Sequence, residues 1–212
     1  MGWVSRAFLA LLVWLAAASA ALAACTGATV LFQDNFDQLQ PTWGEPNETM
    51  KLENGQLVVT PAADQYFWQP NTANLYDDVD LCVNMTTVTG VDPEEAKAGL
   101  LFWYVDVNNF YVFELAPNGK ASVWRRQRGR WLTQVTWQDA KGANPGDGAI
   151  NELRVTTVGN QATFYVNGTQ FKGLTGSPPD NGQQVGIFAV SPAKGAATFA
   201  FANFKVTKPE TK

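Results

Sequence analysis

Side chains able to do acid–base or nucleophilic work are scarce in this sequence of 212 residues. It contains no histidine. That excludes Ser-His-Asp and Cys-His triads, histidine-ligated zinc and imidazole acid–base chemistry. Any catalysis must run on carboxylates, tyrosine, lysine or arginine. Glycoside hydrolysis needs two carboxyl groups flanking the scissile bond. The densest acidic cluster, Asp77-Asp78-Val79-Asp80, has no glutamate, and Glu114 is alone on its strand-like run. Asp106 and Glu152 could join it only through folding, so no catalytic residue is assigned and the chain leans away from being an enzyme.

Aromatic residues, in contrast, are abundant, with eight tryptophans among them. Strand alternation places Leu101, Trp103 and Val105 on one face, and Phe110, Val112 and Glu114 on a face of the following run. Trp103, Glu114, Trp124 and Arg126 are therefore expected to share one sheet face as ligand-binding residues. Flat rings cover the apolar C–H side of a pyranose while a carboxylate and a guanidinium take its hydroxyls. The competing reading makes these rings the core of a large sandwich.

Arg125-Arg126-Gln127-Arg128-Gly129-Arg130 surrounds an expected hairpin turn. It suits an acidic glycan, a lipid headgroup or a carboxylate, or else it keeps a strand edge soluble. Asp34-Asn35 and Asp106-Val107-Asn108-Asn109 offer oxygen ligands for calcium, but without a recognised calcium-loop spacing. They are read instead as turn formers, and no cofactor or metal is assigned.

The elements that must position these residues are strands. After residue 25 short runs rich in β-branched and aromatic residues occur at 29–36, 56–60, 79–87, 99–105, 109–115, 121–126, 131–137, 151–158, 162–167, 184–190 and 197–206. Gly, Asn, Asp and Pro separate them, with Asn-Gly turns at 54–55, 118–119 and 167–168. A short helix is expected at 93–97. The pattern predicts an all-β, two-sheet antiparallel jelly-roll sandwich. Hydrophobic residues make up 46% of the chain and charged ones 16%, a globular balance. A net charge of −4 gives no electrostatic reason to expect nucleic acid as a partner.

Residues 1–24 have the layout of a secretory signal peptide: Arg6, an apolar run, then small residues. The division expected is a removed signal peptide at 1–24, a single β-sandwich domain at 25–208 and a tail at 209–212. The mature chain is expected to carry no transmembrane helix and to be periplasmic or secreted. Two fates stay open for Cys25. Ala21-Leu22-Ala23 suits ordinary signal peptidase, whereas Leu22-Ala23-Ala24-Cys25 resembles a lipobox that would leave a lipid anchor at Cys25. Two cysteines in an exported chain favour a Cys25–Cys82 disulfide, worth about 4 kcal/mol by the loop-entropy model.

The stretch from Ala98 to Leu115, followed by Asn118 to Arg126 and Gly129-Arg130-Trp131, resembles the middle strands of concanavalin A-like lectin/glucanase jelly rolls. The likeness is strongest to laminin-G-like and 3-keto-disaccharide-hydrolase-like domains. Val30–Phe36 with Trp43, Asn54–Leu57, Asn151–Val155, Phe164–Gly168, Val185–Phe188 and Phe201–Val206 extend it along nearly the whole mature chain. The resemblance implies two antiparallel sheets, one concave, with sugars on the concave face or rim. The Glu-x-Asp-x-x-Glu signature of family-16 glucanases is absent. The function expected is a carbohydrate-binding or interaction module whose partner is a glycan or small saccharide. The alternatives are a hydrolase or lyase of a 3-keto disaccharide and a structural envelope protein.

Overall fold

The computed structural model describes residues 25–210. The export segment expected at 1–24 lies outside the described residues. The strands are β1 (Val30–Asp34), β2 (Met50–Glu53), β3 (Gln56–Val59), β4 (Tyr66–Tyr76), β5 (Val79–Thr89), β6 (Lys97–Asp106) and β7 (Asn109–Leu115). They continue with β8 (Lys120–Gln127), β9 (Arg130–Asp139), β10 (Ile150–Val158), β11 (Gln161–Val166), β12 (Thr169–Thr175), β13 (Gln183–Val190) and β14 (Thr198–Thr207). Eight of them form one sheet in the order β12-β11-β10-β5-β14-β3-β2, with β1 beside β14. The other six form a second sheet in the order β4-β13-β6-β7-β8-β9.

The sheets pack through alternate residues. Leu81 and Val83 of β5, Leu153 and Val155 of β10 and Phe199 and Phe201 of β14 are fully buried against Leu100, Phe113 and Ile187 of the second sheet. Loop chemistry holds the register. Asn167 and Gly168 have φ of 48° and 74°, and Arg128 and Gly129 have 50° and 77°, the paired positive values of tight hairpin turns. The helix expected at 93–97 is absent, and residues 93–95 form a turn. Amides of Glu95 and Ala96 both donate to the Asp92 carbonyl, and the chain then enters β6.

Cys25 is bridged to Cys82 of β5, with Cα atoms 5.6 Å apart. A lipid at Cys25 would need that same sulfur, so bridge and anchor exclude each other. Beside the bridge, Asp80 is fully buried. Its Oδ2 accepts from the amides of Thr26 and Gly27 at 2.8 and 3.2 Å, and its Oδ1 from Arg154 Nε at 2.6 Å. Arg154 lies over the Tyr165 ring at 4.8 Å. Asp80, from the densest acidic cluster of the sequence, thus fastens the N-terminal segment to the eight-stranded sheet. Among the described residues no helix is long and apolar enough to cross a membrane.

Candidate functional site

The six-stranded sheet buries one face in the sandwich and carries a second apolar cluster on the other. Leu101, Tyr104, Phe110, Val112, Phe188 and Val190 form that outer cluster, with Trp68, Trp124 and Trp131 packed on it. Cross-strand register aligns the polar part. Trp68 faces Phe188, Phe188 faces Gly99, Gly99 faces Glu114 and Glu114 faces Ser122. Gly99 leaves the middle of this row without a side chain. An added methyl there would strike the backbone of Phe113 and Glu114.

Of the four residues expected to share a face, Glu114, Trp124 and Arg126 do so, and Trp103 does not. The register of β6 against β7 breaks between Phe102 and Asp106. Trp103 sits in that break with φ of 45°. Its amide donates to the Oε1 of buried Gln183 at 2.8 Å. The bulge turns Trp103 inward beside Phe102. There it lies 2% exposed, its ring centroid 5.3 Å from Phe102 and 5.0 Å from Tyr111. The residue sent to the outer face instead is Tyr104, stacked on Phe110 at 5.7 Å.

The outer face is concave. Tyr66 on edge strand β4 and Trp131 on edge strand β9 stack with ring centroids 5.6 Å apart. Five strand spacings separate those edges, about 24 Å in a flat sheet, so the sheet must curl toward this face for the rings to meet. Phe188 lies below the pair, 6.3 Å from Tyr66 and 5.9 Å from Trp131. Phe110 touches both Trp131 and Trp68 at 5.5 Å. Tyr66, Trp124, Trp131 and Phe188 with Lys97 and Glu114 line a cup of about 160 Å³, below the usual range for pockets enclosing drug-sized ligands.

Glu114 is the buried acid of this cup, at 2% exposure. Its Oε1 accepts from Ser122 Oγ at 2.8 Å, and Ser122 Oγ accepts from Trp124 Nε1 at 2.9 Å. Burial pushes its pKa up to about 7, against the opposing pull of the Lys97 charge and the Ser122 hydrogen bond. A carboxyl tuned this way can donate or accept a proton near neutrality. Lys97 lies over the Trp137 ring at 5.5 Å, and Arg126 lies over Trp68 at 5.1 Å and Trp131 at 5.4 Å.

The other acidic residues singled out in the sequence serve elsewhere. Asp34 accepts from the indole of Trp43 at 2.9 Å and the amide of Phe36 at 2.7 Å. Asp106 accepts from the amide of Asn108 and the side chain of Asn109. Among the described residues no three His, Cys, Asp or Glu side chains are grouped to hold a metal ion. Sequence reading missed Tyr66, Trp68, Lys97, Trp131 and Phe188. Pro70, Asn71, Thr72 and Asn74 disguise β4, but Pro is tolerated there because β4 is an edge strand.

No curated protein matches the chain. Solved structures share its fold. The GH43 protein BlXynB from Bacillus licheniformis matches with a TM-score of 0.65 at 17% identity, over 82% of this chain but 39% of that one. The carbohydrate binding module CBM66 from Bacillus subtilis gives 0.59 at 13% identity, over 76% and 92% of the two chains. A Bacillus licheniformis beta-glucanase gives 0.57 at 11%, over 86% and 99%. At such identities the likeness is one of fold, the concanavalin A-like jelly roll. The protein-family model of the 3-keto-alpha-glucoside-1,2-lyase-like domain matches residues 27–207, a span that takes in every strand from β1 to β14. The chain therefore belongs to the 3-keto-alpha-glucoside-1,2-lyase-like domain family.

Proposed function

We propose that the concave face binds a saccharide and that the protein is a non-catalytic carbohydrate-binding module working outside the cytoplasm. One observation carries this reading: aromatic rings from β4, β8, β9 and β13 surround a buried carboxyl and an ammonium in a cup on the concave face. Rings of this kind hold the C–H side of a sugar, and the two polar groups fix its hydroxyls. Glycoside hydrolysis asks for two carboxyls, and the cup is lined by one. The Cys25–Cys82 bridge is compatible with an oxidising compartment. A glycan-array screen tests the reading: signal on a defined class of glycans is expected, and no signal on any glycan rejects it.

The raised pKa of Glu114 beside Lys97 favours a second reading, an elimination on a 3-keto disaccharide. There Glu114 would take the proton from the carbon next to the carbonyl as the glycosidic C–O bond breaks, and the departing oxygen would collect a proton. Such a step uses one base, not a carboxylate pair. Incubation with a 3-keto disaccharide separates the readings. Release of the second sugar by the protein, and not by Glu114→Gln, would establish the lyase and remove "non-catalytic" from the first.

A further inference from the structure

We infer that the concave face prefers an anionic saccharide, one bearing a carboxylate or sulfate, and that Arg126, which lies just beyond the Trp131 wall of the cup in an adjoining depression with Asn109 and Phe110, is the residue that receives the anion. The inference rests on the saccharide-binding reading and narrows it to a ligand class. Arg126 follows Trp124 by two residues and so projects from the same face of β8. Its guanidinium is held by two rings, Trp68 and Trp131, and the second of these also lines the cup. Stacking occupies the faces of a guanidinium and leaves its N–H edge to bond. One donor of that edge, Arg126 Nε, is buried without a hydrogen-bond partner within the protein. A buried donor left unpaired is costly, so a small shift of the side chain that brings it to an acceptor on a ligand is favoured.

The surrounding charge points the same way. Among the described residues the ion pairs are Lys51–Glu53, Arg154–Asp80 and Lys194–Asp92, and none includes Lys97, Arg125, Arg126, Arg128 or Arg130. Arg125 is turned away, over Tyr111 and toward Ser177. Arg128 and Arg130 line a depression at the tip of the β8–β9 hairpin. A chain of net charge −4 thus places Arg126, Arg128 and Arg130, outside those ion pairs, at the β8–β9 hairpin end of this sheet, while Lys97 stands at the opposite end of β6 beside Glu114. Glu114, the carboxyl of the cup, is partly neutral near pH 7. Asp106 stands at the β6–β7 turn, occupied with Asn108 and Asn109. A planar guanidinium matches a carboxylate with two parallel hydrogen bonds and a sulfate nearly as well.

The test is a calorimetric titration of the protein with an oligogalacturonate, its fully methyl-esterified form and a sulfated oligosaccharide of equal length. Binding of the acid at least tenfold tighter than the ester at low salt is expected, with the margin shrinking as salt rises. Tighter binding of the sulfated sugar would name sulfate as the anion. Arg126→Gln should abolish the preference, so that acid and ester bind that variant alike, with Arg126→Lys keeping part of it. Equal binding of acid, sulfated sugar and ester overturns the inference while leaving saccharide binding intact. An anion preference that survives Arg126→Gln overturns the role of Arg126. Binding of none of the three, with array-positive neutral glycans still bound, overturns the inference alone; loss of all glycan binding overturns the reading beneath it.

Discussion

Tyr66 and Trp131, from opposite edges of the six-stranded sheet, stack across its concave face at 5.6 Å with planes 27° apart. The contact joins the two free edges of the sheet and covers one side of the cup above Glu114. Tyr66 is 49% exposed, so it can be shortened without opening the core. Tyr66→Ala should lower stability by about 1 kcal/mol, redden tryptophan emission as Trp131 meets water and weaken saccharide binding several-fold. Unchanged emission and binding would show that the stack shapes nothing.

Glu114 sets a pH dependence with a defined sign. Its carboxyl titrates near 4.5 when unfolded and at about 7 when folded. Between those values the folded state keeps a proton that the unfolded chain has lost, so stability falls as pH rises and levels off above 7. The full effect is about 3 kcal/mol. Glu114→Gln should therefore be stabilised relative to the parent at pH 8 and not at pH 4.5. Urea denaturation across that range checks it; a constant difference between the two proteins would contradict it.

The N-terminal clamp should matter more than its length suggests. Replacing Cys25 and Cys82 together by serine should cost about 2–4 kcal/mol, read from the denaturation midpoint. Asp80→Asn leaves the Arg154 guanidinium short of its carboxylate partner and should cost about 3–5 kcal/mol. No loss in either variant would mean the segment at 25–27 is held by other contacts.

Gly176 fixes the inward position of Trp103. A methyl at 176 would run into the six-membered ring of Trp103. Gly176→Ala should cost about 1–3 kcal/mol through overpacking, and pairing it with Trp103→Phe should recover part of that. A thermal melt measures both, and no coupling between the two changes would contradict the packing.

These predictions also mark what the sequence could and could not convey. The sandwich was legible because its signals are local: Asn167-Gly168 at a tight turn, and alternation along β10 and β11. Parity also placed Glu114, Trp124 and Arg126 together, since β7 and β8 stay in register between Phe110 and Leu115. It failed at Trp103 because the bulge is satisfied by Gln183, 80 residues away. Such a partner leaves no mark in the neighbouring sequence. Tyr66 and Trp131 were out of reach for another reason. Their meeting depends on the curl of a whole sheet, which no run of residues encodes by itself.

The most direct test of the account is a calorimetric titration of the best array ligand against the parent protein, the Trp124→Ala/Trp131→Ala double variant and Trp103→Phe. Binding on the concave face predicts at least a tenfold loss in the double variant, about 1.4 kcal/mol or more, and parent-like affinity in Trp103→Phe. Undiminished binding by a folded double variant would place the sugar elsewhere and contradict the central claim.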